Sequence, residues 1–354
     1  MTLASTLNRS NSAPKIELSF SVIYETENLS SVELDNVYRS LDSISRQTIK
    51  PQNANEFIII DGGYVSQDVI GELQKKYPWI SIHYAKGVQY YDGKMLGASL
   101  VSGDIVFFLD SDCEYVSDLF EQTLEFLQEN PDVQIVAGES STPIRNVYEL
   151  AIACHFFFPR YSKHQQPYES NYYFLNNVAF RRQFLLENPI PINQPTYRGN
   201  CNLHAYYLCE LGQQKIIKLP LSQALHEPPQ GSFIFWRYLL MGRDEVLKSH
   251  LKLYMAKERD KTLKSLCEEG LSSEEIFRVT NVNRLNGIFK SFLEFKPFKW
   301  KKIKPVLREN RKLVASFLLA AVYILMFEIL YGIGKIITFI WPDFLFDYYK
   351  KHSL

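Results

Sequence analysis

Two hydrophobic periods alternate along the first 140 residues, and this alternation limits the possible folds more than any other feature of the chain. Apolar runs typical of strands are separated by segments in which apolar residues recur with helical spacing. The strand-like runs span residues 16–24, 57–60, 80–84, 105–109 and 133–137. The helical segments span residues 32–46, 69–76, 94–101 and 119–128. Because parallel strands need crossover connections, the pattern predicts an α/β fold with a mostly parallel sheet flanked by helices.

The pattern becomes less regular after residue 140. Further helices are predicted at 147–158, 203–211 and 233–264, and further strands at 174–182 and 215–219. We expect five regions: a disordered N-terminus at 1–14, a globular domain at 15–250, a helical basic membrane-proximal region at 251–312, a transmembrane or membrane-embedded helix at 313–341 and a tail at 342–354.

Charge and cysteine content exclude several classes of protein. The 354 residues contain 39 basic and 39 acidic side chains, so the chain has no overall basic excess of the kind that indicates a nucleic-acid partner. The five cysteines are odd in number and scattered, which argues against a disulfide scaffold or a zinc site and favours a reducing compartment.

A long apolar segment close to the C-terminus predicts association with membrane lipids. Residues 313–341 contain two charged side chains, Glu328 and Lys335, and exceed the ~20 residues that span a bilayer. The basic stretch at 296–312 suits an anionic cytoplasmic membrane face. Because residues 1–14 lack the apolar core of a signal peptide, we expect a cytoplasmic catalytic domain.

Two alternatives remain open for this segment. Glu328 and Lys335 are unfavourable in lipid, so residues 313–341 could instead be a buried hairpin or core helix. Lys350 and Lys351 follow the segment and reduce the charge asymmetry across it. The sequence therefore leaves open whether the segment crosses the membrane once or folds back.

A pair of aspartates follows the most apolar strand. In the sequence FFLDSDCEY, Asp110 and Asp112 come directly after a buried-type strand, where both carboxylates can reach one divalent cation. Mg²⁺ or Mn²⁺ bound there would neutralise a nucleotide diphosphate. The alternative is a solvated cap for the helix that follows.

Polar residues also follow two earlier strands. Asp61 leaves its strand in the sequence FIIIDGG, where the glycines allow close backbone approach, and Glu25 follows the first strand. A carboxylate at Asp61 can accept a hydrogen bond from a nucleobase or a sugar, or it can simply form a turn. The chain has no P-loop, dinucleotide-binding or G-x-S-x-G motif. The aromatic cluster of residues 156–158, Tyr172 and Tyr173 could form a platform for a sugar or lipid, or part of the core.

Taken in order, the segments FSVIYETEN, FIIIDGG, GKMLGASLVSGDIVFFLDSD and NNVAFRR resemble an inverting family 2 glycosyltransferase of the Rossmann-like GT-A fold, over roughly residues 16–245. The resemblance implies a nucleotide-diphosphate sugar donor and a glycan or lipid-linked acceptor. It places Asp61 near the base, Asp110 and Asp112 around the metal and diphosphate, and Lys94 in the donor pocket. Asn176 and Asn177 match the wall on the sugar and acceptor side.

The same resemblance extends to a histidine and two arginines. His226 leaves an apolar stretch into a Pro-Pro turn, where members of the family complete the metal site with a histidine; the alternative is a hydrogen-bonded loop residue. Arg237 and Arg243 match the segment that closes over the diphosphate, and otherwise would belong to a charged surface helix. The expected donor-binding residues are therefore Glu25, Asp61, Lys94, Asp110, Asn177, Arg237 and Arg243, and the expected metal ligands are Asp110, Asp112 and His226.

The chain departs from the family where the catalytic base is expected. Family 2 enzymes carry an acidic pair at the start of a helix, and Gly199 and Asn200 occupy that place here. An asparagine side chain does not accept a proton at neutral pH. Three explanations remain open: a shifted register, weak activity, or another base, for which the candidates are His204, Glu139 and Glu169.

These observations predict a membrane-associated, metal-dependent glycosyltransferase of the hexosyltransferase type that inverts the anomeric carbon. The competing hypothesis is a non-catalytic binding or scaffold protein of the same fold, and the absent acidic pair is its best support. A nucleotidyltransferase is disfavoured because the first strand lacks a glycine-rich, lysine-bearing loop.

Overall fold

A computed structural model describes residues 16–27, 34–155, 160–229, 231, 233–296 and 298–352, except for the side chains of residues 267 and 352. The predicted disordered N-terminus lies outside the described residues. So does the aromatic run at residues 156–158.

The N-terminal half forms the parallel part of one sheet. Its strands are β1 (Phe20–Glu25), β2 (Phe57–Asp61), β3 (Ser81–Tyr84) and β4 (Ile105–Leu109), in the spatial order β3-β2-β1-β4. They are connected by α1 (Leu34–Ser45), α2 (Gln67–Lys76) and α3 (Tyr90–Leu100). All three strand pairs in this half are parallel, as the alternating pattern predicts.

The second half of the sheet is mixed. Its strands are β5 (Cys113–Tyr115), β6 (Ile135–Ser141), β7 (Tyr168–Ser170), β8 (Asn177–Arg181) and β9 (Ile216–His226). Strand β8 lies between β4 and β6 and is antiparallel to both, whereas β6 and β9 are parallel. Strands β5 and β7 both pair antiparallel with β9. The predicted α/β sheet flanked by helices is confirmed, but antiparallel pairs beyond β4 make it mixed.

Alternating side chains of the central strands enter two hydrophobic cores. In β1, Val22 and Tyr24 pack on one face and Ile23 on the other; Phe107 and Phe108 divide in the same way in β4. Burial on both faces explains why these strands read as continuous apolar runs. The carboxyl ends of the parallel strands therefore meet at one edge, where polar residues follow them.

Helices complete the chain. The sheet is followed or interrupted by α4 (Leu119–Glu129), α5 (Val147–His155), α6 (Arg182–Glu187) and α7 (Asn200–Tyr206). After β9 come α8 (Phe233–Lys257), α9 (Leu263–Glu269), α10 (Ser273–Val279), α11 (Arg284–Leu293), α12 (Trp300–Glu309), α13 (Phe317–Ile340) and α14 (Phe344–His352). One helix in the described part of the chain, Arg311–Ile340 with its first turns 3₁₀, is long and apolar enough to cross a membrane.

Helix α13 packs tightly along α8. A Cβ atom at Gly242 of α8 would clash with the Tyr331 carbonyl oxygen. A Cβ atom at Gly334 of α13 would clash with the Leu239 carbonyl oxygen. These glycines let the two backbones approach each other, so α13 and α8 form one packed unit.

Both charges in the apolar segment have protein partners. Glu328 lies 2.6 Å from His155 Nε2, and Lys335 lies 2.7 Å from Glu294. Pairing removes the conflict between these charges and an apolar segment, because neither side chain is left alone in an apolar environment.

We predict that Gly334→Ala destabilises the protein by roughly 1–3 kcal/mol, because the added methyl group must displace the α8 backbone. Gly332→Ala is the matched control on the same helix, since no atom lies within 4 Å of its added Cβ. Chemical unfolding of both variants measures the difference. Equal stability of the two variants would contradict the close α8–α13 contact.

Candidate active site

A cleft of about 720 Å³ opens at the edge where the parallel strands end. Helix α3 contributes Tyr90 and Tyr91, and the segment after β4 contributes Asp110 and Asp112. The other walls include the loop before α7, the end of β9 and one side of α8, together with His155 of α5, Lys299 before α12 and Tyr331 of α13. The side chains and backbone that line those walls include Arg198, Gly199, His226, Arg237, Asp244, Glu245 and Lys248.

Asp112 and His226 face each other across this cleft. In the antiparallel pair of β5 and β9, Cys113 is opposite His226, so the preceding Asp112 lies beside the imidazole. The Asp112 Oδ2 atom is 3.3 Å from His226 Nε2. His226 Nδ1 donates to the Glu227 carbonyl oxygen at 2.6 Å, which leaves the lone pair of the neutral ring on Nε2.

This arrangement fits a divalent cation. Ligand atoms of Asp112, Cys113 and His226 lie within 4.8 Å of one another. The carboxylate and imidazole line the cleft, whereas the Cys113 side chain is buried. Carboxylate oxygen suits Mg²⁺ and Mn²⁺, and imidazole nitrogen is a ligand for first-row transition metals. The structure thus brings together two of the three expected metal ligands, Asp112 and His226.

Asp110 is held differently. Its carboxylate accepts hydrogen bonds from Tyr90 Oη at 2.8 Å and from Lys94 Nζ at 2.8 Å. Lys94 is completely buried and also donates to the Ile23 carbonyl oxygen. The expectation that Lys94 lines the donor pocket is corrected. Its ammonium group forms a buried ion pair with Asp110 and orients that carboxylate. Asp110 itself lines the cleft outside the Asp112–His226 cluster.

Glu25 and Asp61 lie at the same sheet edge but outside the lining of this cleft. Asp61 is buried and accepts hydrogen bonds from Thr26 Oγ1 at 3.0 Å and from the Gly63 amide at 2.9 Å. Glu25 is also buried, and burial raises the pKa of its carboxyl from 4.5 to about 8. The Glu25 carboxyl is therefore protonated at neutral pH.

Asn177 and Arg243, two further predicted donor-binding residues, form hydrogen bonds that hold the protein together. Asn177 Nδ2 donates to the Ser222 carbonyl oxygen at 3.0 Å, which ties β8 to the β9 strand. Arg243 is completely buried and donates to the carbonyl oxygens of Pro195 and Pro342. The expectation that Arg243 closes over a diphosphate is corrected, because its guanidinium is satisfied inside the protein. Arg237 does line the cleft.

None of the three candidate bases lines the cleft, so all three expectations are corrected. His204 is buried between Tyr173 Oη and the Asn188 carbonyl oxygen, and burial lowers its pKa to about 4. Glu139 is buried and accepts from Tyr168 Oη at 2.8 Å. Glu169 is exposed on β7 and pairs with Lys215.

Arg198 is a cleft residue that the sequence analysis missed. Its guanidinium lies 4.2 Å from the centre of the Tyr90 ring and 3.4 Å from a Glu27 carboxylate oxygen. The residue directly precedes Gly199, so the departure from the family pattern at 199–200 was a signal that this loop contributes to the site.

The mixed sheet with a polar edge can be compared with known proteins. Residues 31–199 match the model described as Glycosyl transferase family 2. This part of the chain is therefore similar to family 2 glycosyltransferases.

Comparison with solved structures gives one neighbour that supports this fold and a second, more distant one. The mannosyltransferase PcManGT from Pyrobaculum calidifontis, in complex with GDP-Man and Mn²⁺, is similar with a TM-score of 0.54 and 14% identity, over 93% of this chain and 89% of that one. GalNAc-T7 with UDP, GalNAc and Mn²⁺ has a TM-score of 0.48 and 14% identity, over 71% of this chain and 56% of that one. No curated protein matches the chain.

Glu25 gives a pH-dependent stability that can be measured. The unfolded chain releases its proton near pH 4.5, whereas the folded chain retains it to about pH 8, so stability is lost as pH rises through this window. The loss approaches about 1.4 kcal/mol per pH unit. Glu25→Gln stays neutral and should remove this slope in urea unfolding between pH 5 and pH 8. Parallel curves for the two proteins would contradict the raised pKa.

Proposed function

We propose that this protein is an inverting, metal-dependent glycosyltransferase of the hexosyltransferase type that takes its sugar from a nucleotide-diphosphate donor. The observation that carries the proposal is the Asp112–His226 pair in a cleft at the carboxyl edge of the sheet. The structure of PcManGT contains Mn²⁺ and a nucleotide sugar, which supports the same chemistry here.

The chain's own residues perform distinct tasks in this reaction. Asp112 and His226 would hold Mn²⁺ or Mg²⁺, which supplies positive charge to the leaving diphosphate. Arg198 and Arg237 line the same cleft, and their guanidinium groups suit phosphate oxygens. Asp110, held by its ion pair with Lys94, presents a fixed carboxylate edge for a donor hydroxyl.

The inverting course is a direct displacement. The acceptor oxygen attacks the anomeric carbon from the side opposite the diphosphate, and the bond between that carbon and the phosphate oxygen breaks. Glu25 and Asp61 would contribute to the donor side from the ends of β1 and β2. Asn177 would contribute from the segment that forms the wall on the sugar side in the family.

Asp112→Asn should reduce release of nucleoside diphosphate by at least 100-fold, because the amide is a poor cation ligand. The assay uses UDP- and GDP-sugars with Mn²⁺, with and without membrane extract as acceptor. Glu114→Gln is the matched control, since Glu114 is a nearby exposed carboxylate that pairs with Arg46. If neither the wild type nor this control releases diphosphate from any donor, the enzyme proposal fails.

A lipid-linked acceptor is supported by where the cleft ends. Its lining includes Tyr331 of the apolar helix α13 and Lys299, which precedes α12. The cleft therefore runs from the Asp112–His226 pair to the membrane-proximal part of the chain. An acceptor whose lipid remains in the membrane could place its glycan or phosphate end in such a cleft.

Membrane association is supported by exposed apolar residues on α11 and α13. On α11, Leu285, Phe289, Phe292 and Leu293 are exposed at the spacing of one helix face. On α13, Leu318 is 80% exposed, and Leu319 and Val322 are also exposed. The basic residues of 296–312 suit anionic headgroups beside such a surface.

Because α13 packs along α8, we propose that it lies at the membrane surface and does not cross the bilayer. Helix α8 bears Arg237 of the cleft and the buried Arg243, so it cannot accompany α13 through lipid. Helices α11 and α13 would then enter one leaflet, and the catalytic domain would stay in the cytoplasm.

The double variant Phe289→Asp/Leu293→Asp should lower binding to anionic phosphatidylglycerol vesicles at least tenfold in cosedimentation, because charge opposes insertion of the α11 face. Leu221→Asp is the control, since Leu221 is an exposed apolar residue on β9. Equal binding by the two variants would exclude α11 as a membrane contact.

A non-catalytic binding or scaffold protein is the second candidate function. It is favoured by Gly199 and Asn200, which replace the acidic pair of the family. Retained Mn²⁺-dependent binding of a nucleotide sugar, without release of diphosphate in any of the assays above, would favour this candidate.

A further inference from the structure

Gly199 and Asn200 occupy the position that supplies the base in the family, and neither has a carboxylate. The Asn200 amide is already engaged in hydrogen bonds within the protein. Asn200 is buried; its Oδ1 accepts from Thr196 Oγ1 at 2.8 Å, and its Nδ2 donates to the Pro191 carbonyl oxygen at 2.6 Å. Gly199 has a φ angle of +105°, in the left-handed region that favours glycine. If the protein is a glycosyltransferase, the proton of the acceptor must go to another group.

Five carboxylates line the cleft among the described residues: Asp110, Asp112, Glu227, Asp244 and Glu245. Asp110 is bound by Lys94 and Tyr90, and Asp112 faces His226, as described above. Two of the others are also engaged. Glu227 is bound by Arg145, and Asp244 accepts the backbone N–H groups of Tyr197 and Arg198.

Glu245 differs from the other four. Its side chain is 48% exposed, and its partner is the flexible Lys248 of the same helix, at 3.3 Å. Lysine–glutamate pairs three residues apart on a helix contribute little stability where one partner is exposed, as Glu245 is here. The Glu245 carboxylate is therefore the cleft carboxylate with the greatest freedom to meet a substrate.

Helix α8 places the partner of this carboxylate, Lys248, beside Gly199. A Cβ atom placed on Gly199 would lie 2.7 Å from Lys248 Cδ and 3.4 Å from Lys248 Nζ. The same Nζ atom is the one that contacts Glu245. One ammonium group thus links the place where an acidic side chain would begin in the family with the carboxylate of Glu245.

We propose that Glu245 of α8 is the catalytic base, in place of the acidic residue that the family has at the start of α7. This inference rests on the proposed function. The acceptor hydroxyl gives its proton to a Glu245 carboxylate oxygen while its oxygen bonds to the anomeric carbon. The bond from that carbon to the donor phosphate oxygen breaks, and its electron pair leaves with the nucleoside diphosphate. Glu245, which is exposed, then releases the proton to water.

His155 is the competing group, because it also lines the cleft. Its Nε2 atom is bound to Glu328 at 2.6 Å, and its side chain is 5% exposed. The Nδ1 atom is buried. An acceptor hydroxyl has access to Glu245 without rearrangement of the protein, whereas His155 Nδ1 is shielded.

The test compares Glu245→Gln with Glu258→Gln in the full-length protein. Glu258 is a matched control, because it pairs with Lys261 three residues later on the exposed end of the same region, at 3.1 Å, and does not line the cleft. Sugar transfer from radiolabelled UDP- and GDP-sugars into membrane extract gives kcat, and titration with the same donors and Mn²⁺ gives donor affinity.

Loss of the base should lower kcat of Glu245→Gln by about 10²–10⁴-fold. Donor affinity should stay within about twofold of the wild type, and the acid limb of the pH–rate profile should disappear. Glu245→Asp should recover part of the rate with the acid limb restored. Glu258→Gln should behave as the wild type.

The outcomes separate this proposal from the proposed function. If the wild type transfers sugar and Glu245→Gln retains its rate and pH profile, the base assignment alone is overturned. If His155→Gln, and not Glu245→Gln, removes the acid limb, the base is the imidazole. If the wild type transfers no sugar from any donor, both the proposed function and the base assignment fall.

Discussion

The pairing of β9 with β5 is the contact on which the candidate site depends. It sets Cys113 opposite His226 and so brings an imidazole to Asp112, although the two residues are more than 100 positions apart in the chain. Strand β9 also pairs with β6 and β7, which anchors its end in the sheet. A fixed strand end gives the side chains that follow it little freedom, which is the preorganisation that a cation and a diphosphate require.

Helix α8 connects the cleft to the apolar C-terminal helix α13. One side of it lines the cleft through Arg237 and Glu245, and the other packs against α13 where Gly242 and Gly334 allow close approach. The apolar C-terminal helix is thus coupled directly to the wall of the site. A protein that works on lipid-linked acceptors would gain from such a connection, because the membrane would then fix the orientation of the cleft.

Several parts of the fold and the site could be predicted from the sequence. The strands and helices of the first 140 residues follow from hydrophobic periodicity, and the grouping of Asp110 and Asp112 at the sheet edge follows from their place after a strand. Three of the corrected predictions share one cause. Lys94, Arg243 and His204 have the chemistry of site residues, but the structure buries them in ion pairs or hydrogen bonds whose partners are distant in the chain.

By itself, the sequence determined where strands and helices form, because periodicity is a local property of the side chains. It also determined which strand ends are polar, and that an acidic pair is missing at Gly199 and Asn200. Only the tertiary structure decided the antiparallel direction of β8, the packing of α13 on α8 and the position of Lys248, the partner of Glu245, beside Gly199. Those outcomes depend on packing between segments far apart in the chain, and that packing leaves no local pattern in the sequence.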